Sequence, residues 1–315
     1  MIGSAFGKSD VNGSDAFEQF KQNRIVVANR LALANGVDIT NPANRDVYGY
    51  PIGYGRTSQD VLAPAFLAAY QGRDINKVQN GFFKSIPIPG WRLRYTGLTD
   101  IGWFKEKFKR VTIEHRYEAS YTVNSYQTNY DYLENPNRLN TAGNYPSKIV
   151  ASNINMAERF NPLVRFEFET KTDFKFIATV NKNRMLSMSF DNNLLTEMNG
   201  MDYRFEVGFR IKDVAIQTDF EGVDNNGRIV SDLLVKLGAQ WQRNETLIRY
   251  LDYNNNQVGA GSDIWTLNAN AEYKFSKNFT GALYYEHNFS KAVISTMYPI
   301  TNIRSGFSLR YNFGN

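Results

Sequence analysis

Cysteine is absent from the 315 residues, which excludes thiolate zinc sites, thiol catalysis and disulfide staples. Long apolar runs are missing as well. The longest, Val61 to Tyr70, is interrupted by Pro64 and stops at Gln71, well short of the roughly 18 residues that a membrane-spanning helix needs. A bilayer could therefore be crossed only by strands closed into a barrel, where each backbone amide finds its partner on a neighbouring strand. No Gly-rich phosphate loop or dinucleotide fingerprint is present. Basic residues exceed acidic ones by only five, 36 against 31, and the one basic block is Lys105 to Arg110, so nucleic acid is not implied. The run Trp103 to Arg110 is more commonly a solvated turn than a contact for anionic head groups. Met1 to Gly7 lacks the charged and then apolar pattern of an export signal. The expectation is that a signal has been removed or that the chain is a piece of a longer one.

What is present is a chain 42% hydrophobic and 14% aromatic, too apolar for disorder and sized for one large all-β domain with a small appendage. Residues 1–90 differ from the rest. Ser14-Asp15 is a cap signal for a helix to about Asn35, with Phe17, Phe20, Val27 and Leu31 near one face and Gly36 ending it. A second helix follows Thr57-Ser58-Gln59-Asp60 and carries Leu62, Phe66, Ala69 and Tyr70 before Gly72. Pro64 either kinks that helix or marks its first turn. Asn41 to Arg56 reads as loop, and Ile86-Pro87-Ile88-Pro89-Gly90 as an extended linker.

From Trp91 onward the hydrophobic period becomes two. Apolar and polar residues alternate over 91–96, 111–124, 203–212, 233–242 and 265–275, and more briefly over 164–170, 174–180, 186–191, 279–289 and 307–313. Asp191-Asn192-Asn193, Asp224-Asn225-Asn226-Gly227, Asn254-Asn255-Asn256 and Ser276-Lys277-Asn278 supply turn residues that tolerate left-handed backbone. The expected fold is mostly all-β: an antiparallel up-and-down transmembrane β-barrel segment of about eleven or twelve strands over residues 91–315, with a small α-helical part before it.

Alternation does not by itself say which face is wet. Several segments alternate for longer than the 5–6 residues usual in soluble strands and reach the 9–11 that spanning requires. The polar face is densely charged in both signs, as a hydrated interior would be. We assign Arg165, Glu167, Glu169, Arg204, Glu206, Arg210, Lys212, Lys236, Asn268, Glu272, Lys274, Glu286 and Arg310 to a lumen. The other face carries aromatics near strand ends, suited to interfacial girdles. Phe205, Phe209, Leu237, Trp241, Trp265, Leu267, Tyr273, Phe275, Phe307, Leu309 and Phe313 are assigned to lipid. The chain ends within a strand-like stretch, Phe307 to Phe313.

Several stretches are specific enough to compare with a known family. Thr57-Ser58-Gln59-Asp60-Val61-Leu62-Ala63-Pro64-Ala65-Phe66-Leu67-Ala68-Ala69-Tyr70 precedes Trp91-Arg92-Leu93-Arg94-Tyr95-Thr96-Gly97-Leu98. Together with Met156 to Leu163 and the ending Thr301 to Phe307, they resemble the C-terminal region of the SprA/Sov family. Its members are the outer-membrane translocons of the type IX secretion system, also needed for gliding motility in Bacteroidota. The resemblance runs over nearly the whole chain. It implies the closing strands of one very wide single-chain barrel, integral to the bacterial outer membrane, through which folded cargo proteins leave. Implied partners are outer-membrane lipid, the remainder of the barrel polypeptide, a partner outer-membrane barrel protein, a periplasmic plug protein and the secreted cargo. Family members are several times longer, so residues 1–90 would be an internal insert or plug-like segment.

Catalysis is not expected. His115 and His287 fall on the apolar face, where a lone histidine is usually a packed side chain. A hydrolase would need histidine to converge with a nucleophile or acid on the wet face. Glu167 and Glu169 share one strand face and could suggest an acid–base pair or a calcium site, but Arg165 beside them favours plain lumen electrostatics. Asp224 to Gly227 lacks the closing glutamate of an EF-hand and reads as a turn. No catalytic residue, cofactor or metal is assigned. The alternatives are a self-contained small porin of about twelve strands, an outer-membrane barrel enzyme, and a soluble lipid-binding barrel.

Overall fold

The structure, a computed structural model, describes residues 2–83, 90–217, 228–251, 255–294 and 296–313. The expected linker residues Ile86 to Pro89, the Asp224 to Gly227 turn and Asn254 lie outside these.

Two helices form where the cap signals stand. Helix α1, Asp15–Ala34, opens on Ser14, whose side chain accepts from the Phe17 amide, and carries Asp15 and Glu18 in its first turn, where carboxylates suit the helix dipole. It stops at Gly36, in a left-handed conformation at φ +75°, with the Val37 amide donating back to the Ala32 carbonyl at 2.9 Å. Helix α2, Gln59–Gln71, ends the same way at Gly72, φ +62°. It begins five residues ahead of Pro64, so the proline lies inside the helix rather than at its start. Every residue from Val61 to Tyr70 is buried. A helix apolar all round must be covered on all sides, and α2 is, between α1 and a sheet.

The sheet has nine strands in strict sequence order, each antiparallel to the next. They are β1 Trp91–Tyr95, β2 Phe108–Asn124, β3 Asn153–Thr170, β4 Lys175–Ser189, β5 Leu194–Gln217, β6 Arg228–Tyr250, β7 Asn256–Lys274, β8 Phe279–Ala292 and β9 Ile300–Tyr311. The mostly-β, up-and-down antiparallel reading therefore stands. Of the eleven or twelve strands expected, nine lie in this sheet among the described residues, and Gln127–Thr128 pairs separately with Ile149–Val150 in the connection between β2 and β3. Residues 174–180 and 186–191 belong to one strand, because Asn181 to Arg184 continue the ladder with polar side chains and blur the alternation. Likewise β3 runs from Asn153 through the Asn161–Pro162 bond, accommodated by a register shift between Phe160 and Val164, the kind of irregularity where a strand tolerates proline. Among the described residues β1 and β9 do not pair with each other, and no closed barrel forms.

Helices and sheet share a core. Phe17, Phe20 and Val27 of α1 and the apolar length of α2 pack on Ile154, Met156, Leu186, Met188 and Leu195 at one end of the sheet. A one-residue slip would turn these strand residues to the opposite face, so this packing fixes the register of β3, β4 and β5.

Candidate functional site

Partners directly opposite in an antiparallel ladder point to the same side, so the register sorts every strand residue onto one of two faces. One face is apolar over half its height. A row of aromatic and aliphatic side chains, Val180–Tyr203–Trp241–Trp265–Phe289, crosses five strands. Within it Tyr203, Trp241 and Trp265 stack with ring centroids 5.2 and 5.3 Å apart and interplanar angles of 10° and 14°. Towards the other end follow Phe205–Ala239–Leu267, Val207–Leu237–Ala269, Phe209–Val235–Ala271 and Ile211–Leu233–Tyr273. A second aromatic group closes the band: Phe275 against Phe279, and Tyr311 against Phe313. Much of this face is bare. Leu267 is 51% exposed, and Phe205, Leu237, Leu283, Ile303, Phe307 and Leu309 are exposed as well. Soluble monomers rarely expose contiguous apolar patches larger than a few hundred Å².

The opposite face carries an ion-pair lattice. Glu167 receives Arg165 at 3.1 Å, Lys175 at 3.2 Å and Arg110. Arg92 pairs with Glu114, and Arg304 meets both Glu286 oxygens at 2.8 Å. Asp202 accepts from Asn181 at 2.9 Å and Gln240 at 2.8 Å and faces Arg204 at 3.8 Å. Gly238 leaves room for the Asn268 side chain, whose Oδ1 would stand 2.2 Å from a Cβ there.

Within the strands, the residues assigned to a lumen share the charged face and those assigned to lipid share the other. Arg165, Glu167 and Glu169 align with Thr179, Ile177 and Lys175. Arg204, Glu206 and Arg210 align with Gln240, Gly238 and Leu234. Lys236, Asn268, Glu272, Lys274, Glu286 and Arg310 continue the same side through their partners. Lys212 reaches Asp173 at 3.3 Å. Three of the residues assigned to lipid differ from the rest in setting. Tyr273 is only 5% exposed, because its hydroxyl reaches across the bulge between β5 and β6 to donate to the Val214 and Ile229 carbonyls at 2.8 and 3.0 Å. Phe275 and Phe313 lie just past the ends of β7 and β9 rather than within them.

Sequence reasoning missed four buried charged residues on the apolar side. Glu158, Arg184, Glu197 and Arg249 occupy positions in phase with Met156, Leu186, Leu195 and Leu247. They lie where the helical segment covers the sheet, and all are buried, Glu197 and Arg249 completely. Glu197 bridges Arg184 at 3.4 Å and Arg249 at 3.3 Å, and Tyr117 donates to Glu158 at 3.0 Å. The chain before α1 joins the lattice: Ser9 donates to Glu197 at 2.8 Å, Arg249 donates to Ser9 at 2.8 Å and to the Asp10 carbonyl at 3.2 Å, and Arg184 donates to Ser4 at 3.1 Å. Arg184 also lies over the Tyr70 ring and Arg249 over Phe17. A charge in phase with an apolar stripe was the available signal.

Among the described residues the segment before Trp91 packs on the face that bears the apolar band, beyond the row of stacked aromatics.

Among the described residues neither histidine is hydrogen-bonded to an acid or a nucleophile. His115 Nδ1 lies 2.6 Å from the Leu163 carbonyl, and His287 stands in register between Leu267 and Ile303. Glu167 and Glu169 are absorbed by arginine and lysine partners. Among the described residues no group of three or more histidine, aspartate or glutamate side chains is arranged to hold a metal ion. The site is a wall with two chemically distinct sides. No protein-family model matches the chain, and no curated protein matches it.

Proposed function

We propose that this chain forms part of the wall of a wide, protein-conducting β-barrel in a bacterial outer membrane, with the apolar band against lipid and the ion-pair lattice against a water-filled passage. The observation that carries the reading is the height of the band. Trp265 in β7 and Phe275, just past its end, are ten residues apart. At about 3.3 Å per residue that is ~33 Å along the strand, and with the ~40° tilt usual in such barrels it becomes ~25 Å, the height of the apolar belt in outer-membrane barrels.

Strand number favours a larger assembly over a self-contained porin. Eight successive antiparallel pairings leave the first and ninth strands running the same way. They could close only through a parallel seam, whereas single-chain bacterial barrels use an even number of antiparallel strands. Both edges are then free to pair with further strands of a wider barrel. The resemblance of 57–70, 91–98, 156–163 and 301–307 to the SprA/Sov family supports a type IX translocon, with folded cargo as the transported species and no reaction catalysed. In this setting the helical segment is an insert on the outer side of the wall.

Since the chain has no cysteine, single thiols report on the wall directly. Thr266→Cys, on the charged face, should react with a maleimide coupled to a small folded protein, and Leu267→Cys with neither that reagent nor a small charged maleimide. Exclusion of the protein-sized reagent from Thr266→Cys, with the small one still reacting, would mean a narrow porin. Free reaction of both variants would mean that the apolar band is not in lipid.

A further inference from the structure

One register row beyond the stacked aromatics, the apolar side changes chemistry abruptly. The row runs Lys182–Met201–Arg243–Asp263–Lys291 over β4 to β8. It places three cations and one acid immediately above Tyr203, Trp241 and Trp265, on the same side of the sheet. Below those rings, this side of β4 to β8 holds no lysine, arginine, aspartate or glutamate down to the Ile211–Leu233–Tyr273 row. The cations are therefore confined to one level of the wall.

We propose that this row binds the phosphate of anionic lipid head groups in the leaflet that meets the helical segment. The inference rests on the membrane reading given above and adds a ligand class and a level to it. Arg243 is half exposed and faces Asp263 at 3.8 Å, and Lys291 is exposed. Lys182 extends over the ring of Phe6 at 4.8 Å, and Phe6 itself is half exposed against Phe160, 5.2 Å between centroids. Lysine stems and rings of this kind lie along hydrocarbon while the charged tip reaches the head-group layer. Aromatic side chains at the same level favour a lipid-borne phosphate over a free one, because acyl chains would cover Phe6, Trp241 and Trp265. Asp263 is the acid within the row; further out stand Glu245 and Glu158 in the next row and Glu197 beyond it, the last two paired with the buried Arg184, so a net positive charge remains at the row itself.

The test uses the full chain in neutral detergent micelles, with quenching of tryptophan fluorescence by spin-labelled phosphatidylglycerol or spin-labelled phosphatidylcholine as the readout. Each basic side chain near an anionic lipid surface contributes roughly a fivefold preference. Three cations offset by Asp263 leave two net positive charges, so the row should favour phosphatidylglycerol by roughly 25-fold. The triple variant Lys182→Gln, Arg243→Gln, Lys291→Gln should bring the ratio to about one or below, and Lys291→Gln alone, at an exposed position, should lower it about fivefold. Lys236→Gln, on the charged face, should leave the preference unchanged, and inorganic phosphate should not displace the lipid. Strong quenching by both lipids without preference, an unchanged ratio in Lys291→Gln, or displacement by inorganic phosphate would overturn the proposal while leaving the membrane reading intact. Absence of quenching by either lipid would overturn both.

Discussion

Replacing Ala269 with arginine sets the two faces against each other at the middle of the band. Ala269 stands opposite Leu237 on one neighbour and Tyr285 on the other, four residues from Trp265. At about 3.3 Å per residue and the usual tilt it lies ~10 Å below the aromatic row, close to the midplane of a ~25 Å belt. Arginine there should cost roughly 2–4 kcal/mol of folding free energy in lipid. Asn268, one residue earlier, faces Gly238 and Glu286, so Asn268→Arg presents its charge to an existing carboxylate on the other side. The added bulk must leave the space above Gly238, but water and Glu286 receive it, and the cost should stay within ~1 kcal/mol, as for an ordinary surface substitution. Urea titration of both variants, folded into phospholipid vesicles and followed by tryptophan fluorescence, gives the two numbers side by side. Equal losses, or a larger loss at Asn268, would refute the assignment of faces.

Two further expectations concern the helical cover. Glu197→Gln keeps the shape of the side chain but leaves Arg249 buried against a neutral partner and Arg184 with Glu158 at 3.9 Å, and should destabilise the chain by about 3–5 kcal/mol in urea unfolding; a loss below ~1 kcal/mol would show that the lattice does not hold the cover in place. Asp60, half-buried in the first turn of α2, has its carboxyl pKa raised by burial, only partly offset by its hydrogen bond with Ser147. The folded state then holds this proton more tightly than the unfolded chain, so the contribution to stability is most favourable below the unfolded value of about 3.9 and is lost as pH rises through the raised folded value. Thermal unfolding across the acid range should show this slope diminished in Asp60→Asn, and an unaltered slope would assign it to other groups.

Much of the fold was written in one-dimensional patterns. The alternation of 203–212, 233–242 and 265–275 fixed which side chains share a face, since a strand's geometry turns successive residues to opposite sides whatever surrounds it. The helix starts at Ser14 and Ser58 and the stops at Gly36 and Gly72 were legible for a similar reason: caps are satisfied within a few residues of themselves. Strand count was not. Asn181 to Arg184 and the stretch around Pro162 look like interruptions, and only pairing with flanking strands shows the ladder running through them.

The buried charges illustrate the boundary most clearly. Composition and period determined an antiparallel meander with one charged and one greasy side, because those depend on residue order alone. Tertiary structure decided that Glu158, Arg184, Glu197 and Arg249 end in a dry contact while Arg243, three positions before Thr246, stays half open. Both kinds of charge occupy the same strand phase. What separates them is whether α1, α2 and Ser4 to Asp10 fold back over that part of the sheet, a contact between residues as far apart in sequence as Ser9 and Arg249 that no local pattern encodes.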